Sequence, residues 1–460
     1  MSKHALAAVP QAETSKANEL RDATFASLEG HAFTEASQAL TEAVNEQVLH
    51  YLVRAEASGA VKTNRKKLKL AVAAFLADLL SANGKWVYRS LKRDGFTGGP
   101  VGGNSFIPLQ EAFRGLGLVE HRPAVHQWTD GFDGSPQALV SKRWASRYRA
   151  TDKLIALAAE HGINSENVLD HFDFGLPKEP LQKRTANRRD AGRKVRGKIM
   201  KFVPDALSQK LEVDVRELNE YLDKQTFGSG CVHRGYLRIF QNGDDPLFDW
   251  NRGGRLYSQP PNKNYQQQSG PKRLEMSING SPVVEIDLRA SYLTIFHAWH
   301  GKQLDADTDP YVIPELGAEA RDVVKLCVAA TFGSITPLRK WPSDLLSKYE
   351  EENKRPLDRK RYPVAKLREK IIDRHPVLDR WGKPLDGRIR TWADLMFDES
   401  RVIVDTMLWL MRSKDVPSLA VHDSLIVAQE HEELTAKTLK AVYWGHLKVV
   451  PLVKTNRPPR

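Results

Sequence analysis

VVEIDLRASYLT, residues 283–294, sets an apolar run directly before a carboxylate and a helix-like segment directly after it. Val283, Val284, Ile286 and Leu288 have strand character. Tyr292, Ile295, Phe296 and Trp299 recur at helical spacing. Two readings of Asp287 follow. It caps the next helix, or it holds charge at a strand end, where a divalent metal binds. The rest of the chain decides between them.

The chain has 460 residues, enough for two or three domains. Its formal net charge of +12 points toward a polyanionic partner. The charge is concentrated: from Lys183 to Lys201 nine residues are basic and only Asp190 is acidic. A solvated helix face alternates sign and this run does not, so it reads either as a nucleic-acid contact or as a flexible solubilising linker. No apolar run reaches transmembrane length, which predicts no membrane partner. The start, MSKHALAAVPQAETSK, lacks an apolar signal core. Cys231 and Cys327 make neither a disulfide framework nor a zinc site, which fits a cytoplasmic protein.

Along the chain, residues 1–64 read as helical or partly disordered. Residues 65–165 read as a compact unit. RKKLKLAVAAFLADLLSA is a helix with Leu68, Val72, Phe75, Leu76 and Leu79 on its apolar face. Gly98, Gly99, Gly102 and Gly103 interrupt the chain before a second helix that ends at Gly117. Two extended pieces and a closing helix follow, with Thr151 as its N-cap. This order resembles a winged helix-turn-helix, in which basic wing residues, here Arg143, Arg147 and Arg149, touch phosphate. The alternative is a winged helix that serves only as a scaffold. Residues 166–235 read as a basic helical linker, and residues 236–460 alternate strands and helices.

Two further motifs lie in that last segment. In RDVVKLCVAATFGS, residues 321–334, Arg321 and Lys325 are four apart and share a helix face with Val328 and Phe332. Two cations on one face repel unless an anion such as a triphosphate lies between them. Phe332 and Gly333 end the helix on an aromatic face suited to stacking. In LAVHDSLIV, residues 419–427, two apolar runs flank His422, Asp423 and Ser424, which reads as a hairpin presenting Asp423 at its tip. Each motif alone is matched by a plainer reading, a solvated helix face or an Asp-containing turn. Their order raises all three: two strand-borne carboxylates bracket a helix with two cations on one face. Two carboxylates on adjacent strands can clamp magnesium ions for an in-line displacement.

In this order the motifs resemble those of the family A DNA polymerases and, more distantly, the single-subunit phage-type RNA polymerases, over about residues 250–430. EIDLRASYL is similar to the family's palm strand motif. RDVVKLCVAATFG is similar to its fingers helix, and VHDSLIV to its catalytic hairpin. GGRLYSQPPN resembles its duplex-contacting Gly-Arg-Leu stretch, and DTDPY, residues 307–311, falls at the step before the fingers helix. The compact arrangement also looks like polymerase-like proteins of bacterial mobile elements.

The resemblance implies an α+β fold: a C-terminal right-hand palm and fingers behind an N-terminal helical and winged-helix region, with the basic segment as a thumb. It implies a template-dependent nucleotidyltransferase, a DNA-directed DNA polymerase acting on DNA template, primer and nucleoside triphosphates. The winged-helix-like unit and the basic linker take up most of the chain ahead of residue 236, so no proofreading exonuclease is expected. Two Mg2+ ions, with Mn2+ as an alternative, would be held by Asp287, Asp423 and the Leu288 carbonyl. Arg321 and Lys325 would grip the triphosphate. Phe332 would pack on the new base pair, and Arg255 and His422 would contact the duplex or primer end.

Three positions depart from the family. Its sugar-excluding Glu, five residues after the first Asp, is here Tyr292. The Lys-to-aromatic spacing is one residue short, which predicts a rotated Phe332 or a bulged helix. Ser424 stands where the DNA polymerases carry Glu and the RNA polymerases Ser. RNA polymerase or primase activity is therefore the alternative enzyme reading, and a DNA-binding replication initiator the non-catalytic one. Glu399 is expected to be a solvated acid, and Trp392, Trp409 and Trp444 to be core residues. KYEEENKRPLDRKRYP is expected to be a charged surface insertion.

Overall fold

The computed structural model describes residues 23–458 apart from 57–63, 93–95, 97–98, 130–139, 191–192, 196, 229–230, 232, 260–263 and 306. Gly98 and the first 22 residues thus lie outside the described residues. The chain forms two units, Met1–Gly175 and Leu176–Arg460. Both mix helices with β-sheet.

In the first unit, β1 (Thr24–Phe25), α1 (Glu35–Glu56), α2 (Arg65–Ser81), β2 (Val87–Arg89) and α3 (Gly103–Gly115) precede β3 (Val119–Arg122). Then come the hairpin of β4 (Val125–Thr129) and β5 (Val140–Trp144), β6 (Ser146–Ala150) and α4 (Asp152–Glu160). The sheet order is β1-β2-β6-β3, with β6 antiparallel to both of its neighbours. α2 starts at Asn64, whose side chain accepts from the Lys67 N–H, and Leu68, Val72, Phe75, Leu76 and Leu79 are all buried. The Phe75 ring meets Phe106 at 5.0 Å, Phe113 at 5.1 Å and Tyr148 at 5.5 Å, so one aromatic knot joins α2, α3 and β6. Thr151 caps α4 by accepting from the Leu154 N–H.

The carboxylate of Asp78, on the buried side of α2, accepts from the Leu28 N–H at 2.7 Å and the Ser27 hydroxyl at 3.0 Å. Burial pushes its carboxyl up to about 7, against the lowering pull of those bonds and of Arg89. Asp78→Ala leaves the Leu28 N–H without its acceptor. It should cost about 2–3 kcal/mol in urea unfolding of this unit; a loss under about 0.5 kcal/mol would refute the role.

The second unit opens on the basic run. This segment is not the helical linker that its composition suggests. It is built of β7 (Leu181–Arg184), β8 (Arg188–Asp190), β9 (Arg193–Val195) and β10 (Ile199–Met200). Arg188 pairs with Val195 in a short antiparallel ladder, and β7 lies parallel to β11 (Tyr236–Phe240). Like charges close in sequence disfavour a helix, where they would crowd one another, and an extended ladder spreads them. α5 (Ala206–Leu222) follows, capped by Asp205. β11 then pairs antiparallel with β12 (Gly253–Ser258), giving a sheet ordered β10-β7-β11-β12.

The main sheet is centred on β13 (Ser281–Arg289). On one side lie β15 (Ser424–Ala428) and then β14 (Ser418–Val421). On the other lies β16 (Leu452–Asn456), and every one of these pairings is antiparallel. Val284, Ile286 and Leu288 enter the core on one face, whereas Glu285, Asp287 and Arg289 share the other face with the buried Val283 by the two-residue period of a strand. The helices are α6 (Ser291–Ala298), α7 (Arg321–Phe332), α8 (Ser343–Asn353), α9 (Val364–Arg374), α10 (Trp392–Lys414) and α11 (Glu432–Leu447). Among the described residues no helix is long and apolar enough to cross a membrane.

Two expectations change here. Trp409 and Trp444 are not core residues: they are 39% and 53% exposed on α10 and α11. Each is covered instead by a lysine ammonium, Lys414 at 5.7 Å and Lys448 at 4.8 Å from the ring centres. The charged insertion is not wholly surface either. Tyr349, Leu357 and Tyr362 are buried, and the Trp341 indole donates to the Tyr362 carbonyl at 3.0 Å.

Candidate active site

Asp287 sits near the end of β13 between two partners: Ser424 on β15 and Lys454 on β16. Val421 and Ser424 pair directly, so His422 and Asp423 form a two-residue hairpin tip. His422 takes the left-handed conformation that such tight tips require, with φ 55°. The Leu288 N–H donates to the Asp423 carbonyl at 3.1 Å and pins the tip beside the strand end. Asp287 does not cap α6. That helix begins at a left-handed Ala290 with no side-chain cap. The Ser424 hydroxyl donates to Glu285 Oε1 at 2.7 Å, and Arg273 holds the same carboxylate through two bonds.

A cleft of about 540 Å3 opens over this face. Its lining includes Asp287, Leu288, Tyr292, Asp423 and Arg255, and from α7 the stripe Arg321, Lys325, Val328, Ala329 and Phe332. The spacing read from the sequence is thus a cleft wall. α7 runs unbroken from Arg321 to Phe332, so the short Lys-to-aromatic spacing makes no bulge. Phe332 is only 3% exposed. It packs edge-on against Trp381 at 4.9 Å and Phe296 at 5.7 Å, so its ring has little face to offer a base in this conformation.

Arg321 does not stand alone. Asp309 accepts from it at 2.8 Å and from Arg289 at 3.2 Å, and holds both arginines at the cleft. Burial pushes the Asp309 carboxyl up, but the Tyr311 N–H, which donates to it at 2.9 Å, and then Arg321 and Arg289 outweigh burial and keep it below its ordinary value. The Lys325 side chain has no hydrogen bond or ion pair among the described residues and acts on Asp287 through its charge.

Arg255 reaches the cleft from β12, which opens on Gly253 and Gly254, at φ 78° and 81°. A Cβ on Gly253 would meet the Gln241 backbone nitrogen at 2.9 Å, so a side chain there would force the strands apart. The Ser400 hydroxyl donates to the Gly253 carbonyl at 2.8 Å and ties α10 to β12. This contact brings Glu399 to Arg255. Glu399 is 1% exposed, not the solvated acid expected, and accepts from Arg255 Nε at 3.0 Å and also from its Nη2. Arg255 Nη2 donates to the Tyr292 hydroxyl at 3.3 Å, and the Tyr292 ring lies 6.4 Å from Phe332. Burial and the nearby Glu399 charge raise the Tyr292 phenol far above its usual range, so it stays a neutral hydroxyl.

The two aspartates carry the clearest electrostatic signature. Burial, then the charges of Glu399 and Asp287, push Asp423 up to about 7. Asp287 is raised by burial and Glu285, with Lys325 and Lys454 pulling the other way. This is a desolvated excess of negative charge with hard oxygen donors, which fits a divalent cation. Among the described residues no group of three or more His, Cys, Asp or Glu is arranged to hold a metal without outside ligands. Magnesium is commonly held by one or two carboxylates plus water and substrate phosphate, so the pair Asp287 and Asp423 still fits.

The remaining expected residues are not among those that line the cleft. His422 is exposed at the hairpin tip. Arg147 and Arg149 lie in the first unit on β6. Arg147 donates to the Ala145 carbonyl at 2.9 Å, and Arg149 pairs with Glu120 at 2.8 Å. Arg143 lies on β5 opposite His126, and its side chain falls outside the described residues. Sequence reasoning missed Asp309 as the holder of two arginines, Glu399 as the partner of Arg255, and Lys454. The DTDPY stretch was the one available signal for the first.

The chain matches no protein-family model, and no curated protein matches it. Among solved structures it is similar to the POL domain of Pol1 from M. smegmatis, determined in complex with DNA primer-template and dNTP. The sequences are 16% identical over 54% of this chain and 50% of that one, with a TM-score of 0.29. The chain therefore spans about half the length of that neighbour, and a likeness so distant carries no structural argument.

Proposed function

We propose that the protein is a template-dependent nucleotidyltransferase, a DNA-directed DNA polymerase whose second unit supplies a palm and fingers. One observation carries this reading: the strand-end carboxylates Asp287 and Asp423 and the cationic stripe of α7 face one cleft. Asp287 and Asp423, with the Leu288 carbonyl, would hold Mg2+ or Mn2+. Such ions, when bound, lower the pKa of an attacking hydroxyl and stabilise a leaving pyrophosphate. Arg321 and Lys325 bind the triphosphate of the incoming nucleotide. Asp309 fixes the Arg321 guanidinium so that little rotamer entropy is lost on binding. Tyr292 lies on the floor where the sugar would sit. Arg255, fixed by Glu399, is aimed at the primer end.

The first unit is proposed to bind DNA as a winged helix. The support is its order of two helices, strand, helix and two strands in an antiparallel β2-β6-β3 sheet. The basic strands β7 to β10 are proposed to follow the duplex backbone as a thumb does. Ser424 favours a second reading, an RNA polymerase or primase, because its hydroxyl is occupied by Glu285 and no acid follows Asp423.

The test is metal-dependent extension by the full chain on primed and unprimed templates, with deoxy- and ribonucleotides in separate arms. Primer extension with deoxynucleotides is expected, and loss of it with EDTA. Extension with ribonucleotides alone would move the assignment to the second reading. No incorporation in any arm, with DNA binding retained, would leave a replication initiator that only binds DNA.

A further inference from the structure

The cleft holds five cations: Arg255, Arg289, Arg321, Lys325 and Lys454. They fall into two groups. Arg255 is engaged by Glu399 on the side of Asp423. Of the other four, Lys454 lies on β16, on the opposite side of β13 from the hairpin, Arg289 lies on β13 two residues past Asp287, and Arg321 and Lys325 lie on α7. Arg289 and Arg321 share the carboxylate of Asp309, and Arg321 also pairs with the exposed Asp322 at 3.0 Å. The Lys325 and Lys454 side chains have no hydrogen bond or ion pair among the described residues. Four cations, two of them with no side-chain partner among the described residues, outnumber the carboxylates Asp309 and Asp322 that engage the group, which makes it a seat for a polyanion.

Lys454 comes from β16, 167 residues after Asp287 in sequence yet its direct cross-strand partner. Directly opposed residues on paired strands project from the same face, so the Lys454 side chain shares the cleft face with Asp287 and Arg289. It lines the cleft. Strand pairing fixes its stem, and its ammonium is exposed to incoming ligand. No sequence motif marks VVPLVKTN, and nothing in the motif logic asks for a cation there.

We propose that Lys454 is a substrate-binding residue that completes the seat for the triphosphate tail, gripping the β- and γ-phosphates together with Arg289, Arg321 and Lys325. This rests on the polymerase reading for the identity of the substrate. Two features separate this role from a purely local one, in which Lys454 would only neutralise Asp287. Lys325 already stands beside that carboxylate, and Arg289 extends the positive surface one strand step past Lys454, away from Asp287. A contact with the tail acts on ground-state binding of triphosphate and on pyrophosphate, and a partner for Asp287 acts on the chemical step.

The experiment compares wild type, Lys454→Met and Lys454→Arg. In single-nucleotide incorporation, Lys454→Met should raise KM for the triphosphate on the order of ten-fold, the cost of one charge-assisted hydrogen bond. Its kcat should change less than about three-fold, and inhibition by pyrophosphate should weaken in parallel with KM. Lys454→Arg should restore both. All three proteins should melt together, because the stem stays in the sheet. A fall in kcat at unchanged KM, or no change at all, would overturn the proposal. Equilibrium binding of inorganic tripolyphosphate is measured alongside, with no nucleotide present. Ten-fold weaker binding by Lys454→Met supports the seat even if no protein incorporates nucleotide, in which case it is the polymerase reading that fails. Equal binding by wild type and Lys454→Met refutes the seat.

Discussion

Asp423→Asn should reduce nucleotide incorporation on the order of a thousand-fold or more while leaving the fold intact or more stable. Burial of the carboxylate, and then the charges of Glu399 and Asp287, raise its pKa to about 7. Ionised Asp423 therefore costs the folded state free energy, and asparagine relieves the like-charge repulsion. The same substitution deletes the charge that would hold the metal. Asp287→Asn should lose activity to a similar degree, with less gain in stability, because Lys325 and Lys454 partly offset the Asp287 charge. Single-turnover incorporation and thermal melting on the same preparations check both halves. An Asp423→Asn protein that keeps a tenth of wild-type activity would remove this cleft as the catalytic centre. A sharp fall in melting temperature would mean the aspartate is structural.

The second large effect concerns the sugar. Tyr292→Ala should lower the preference for deoxy- over ribonucleotides on the order of a hundred-fold, the range in which shape alone rejects an added hydroxyl. The ring is held from two directions: its hydroxyl accepts from Arg255 at 3.3 Å, and its edge packs toward Phe332. A fixed ring excludes better than a mobile one. Tyr292→Phe keeps the ring and loses only the Arg255 contact, so it should keep most of the preference. The ratio of kcat/KM for the two nucleotide types, measured at one template position, decides the matter. An unchanged ratio in Tyr292→Ala would mean that the sugar is read elsewhere. A wild type that already prefers ribonucleotides would turn the question to Ser424.

Local pattern carried a good part of the site. The alternation in VVEIDL gave β13 and set Asp287 on the face opposite the core, since strand geometry turns successive side chains to opposite sides. The four-residue spacing of Arg321 and Lys325 gave the cleft-facing stripe of α7 because a helix repeats every 3.6 residues. VHDS between two apolar runs gave the hairpin and its tip. The same local logic failed where a residue's environment comes from distant chain. Glu399 sits in an amphipathic helix among other acids, and nothing within a few residues says that it faces Arg255. The basic run was composed like a solvated linker, and its strands became legible only once β7 found β11. Trp409 and Trp444 read as core because large apolar residues usually are, but both stand on helix faces that the fold leaves open.

By itself, then, the sequence determined which segments are strands and helices around Asp287, α7 and the hairpin. It also determined which side chains share a face within each, because those relations depend only on the backbone period. Which faces meet was decided by the tertiary structure. β13 must pair with β15 on one edge and β16 on the other before Asp287 gains Ser424 and Lys454 as neighbours. Asp309 must fold back to reach Arg289 and Arg321, and α10 must dock on β12 before Glu399 meets Arg255. Those contacts join residues far apart in the chain. Hydrogen bonding between strands and burial of apolar faces select them, and no local window of sequence contains that information.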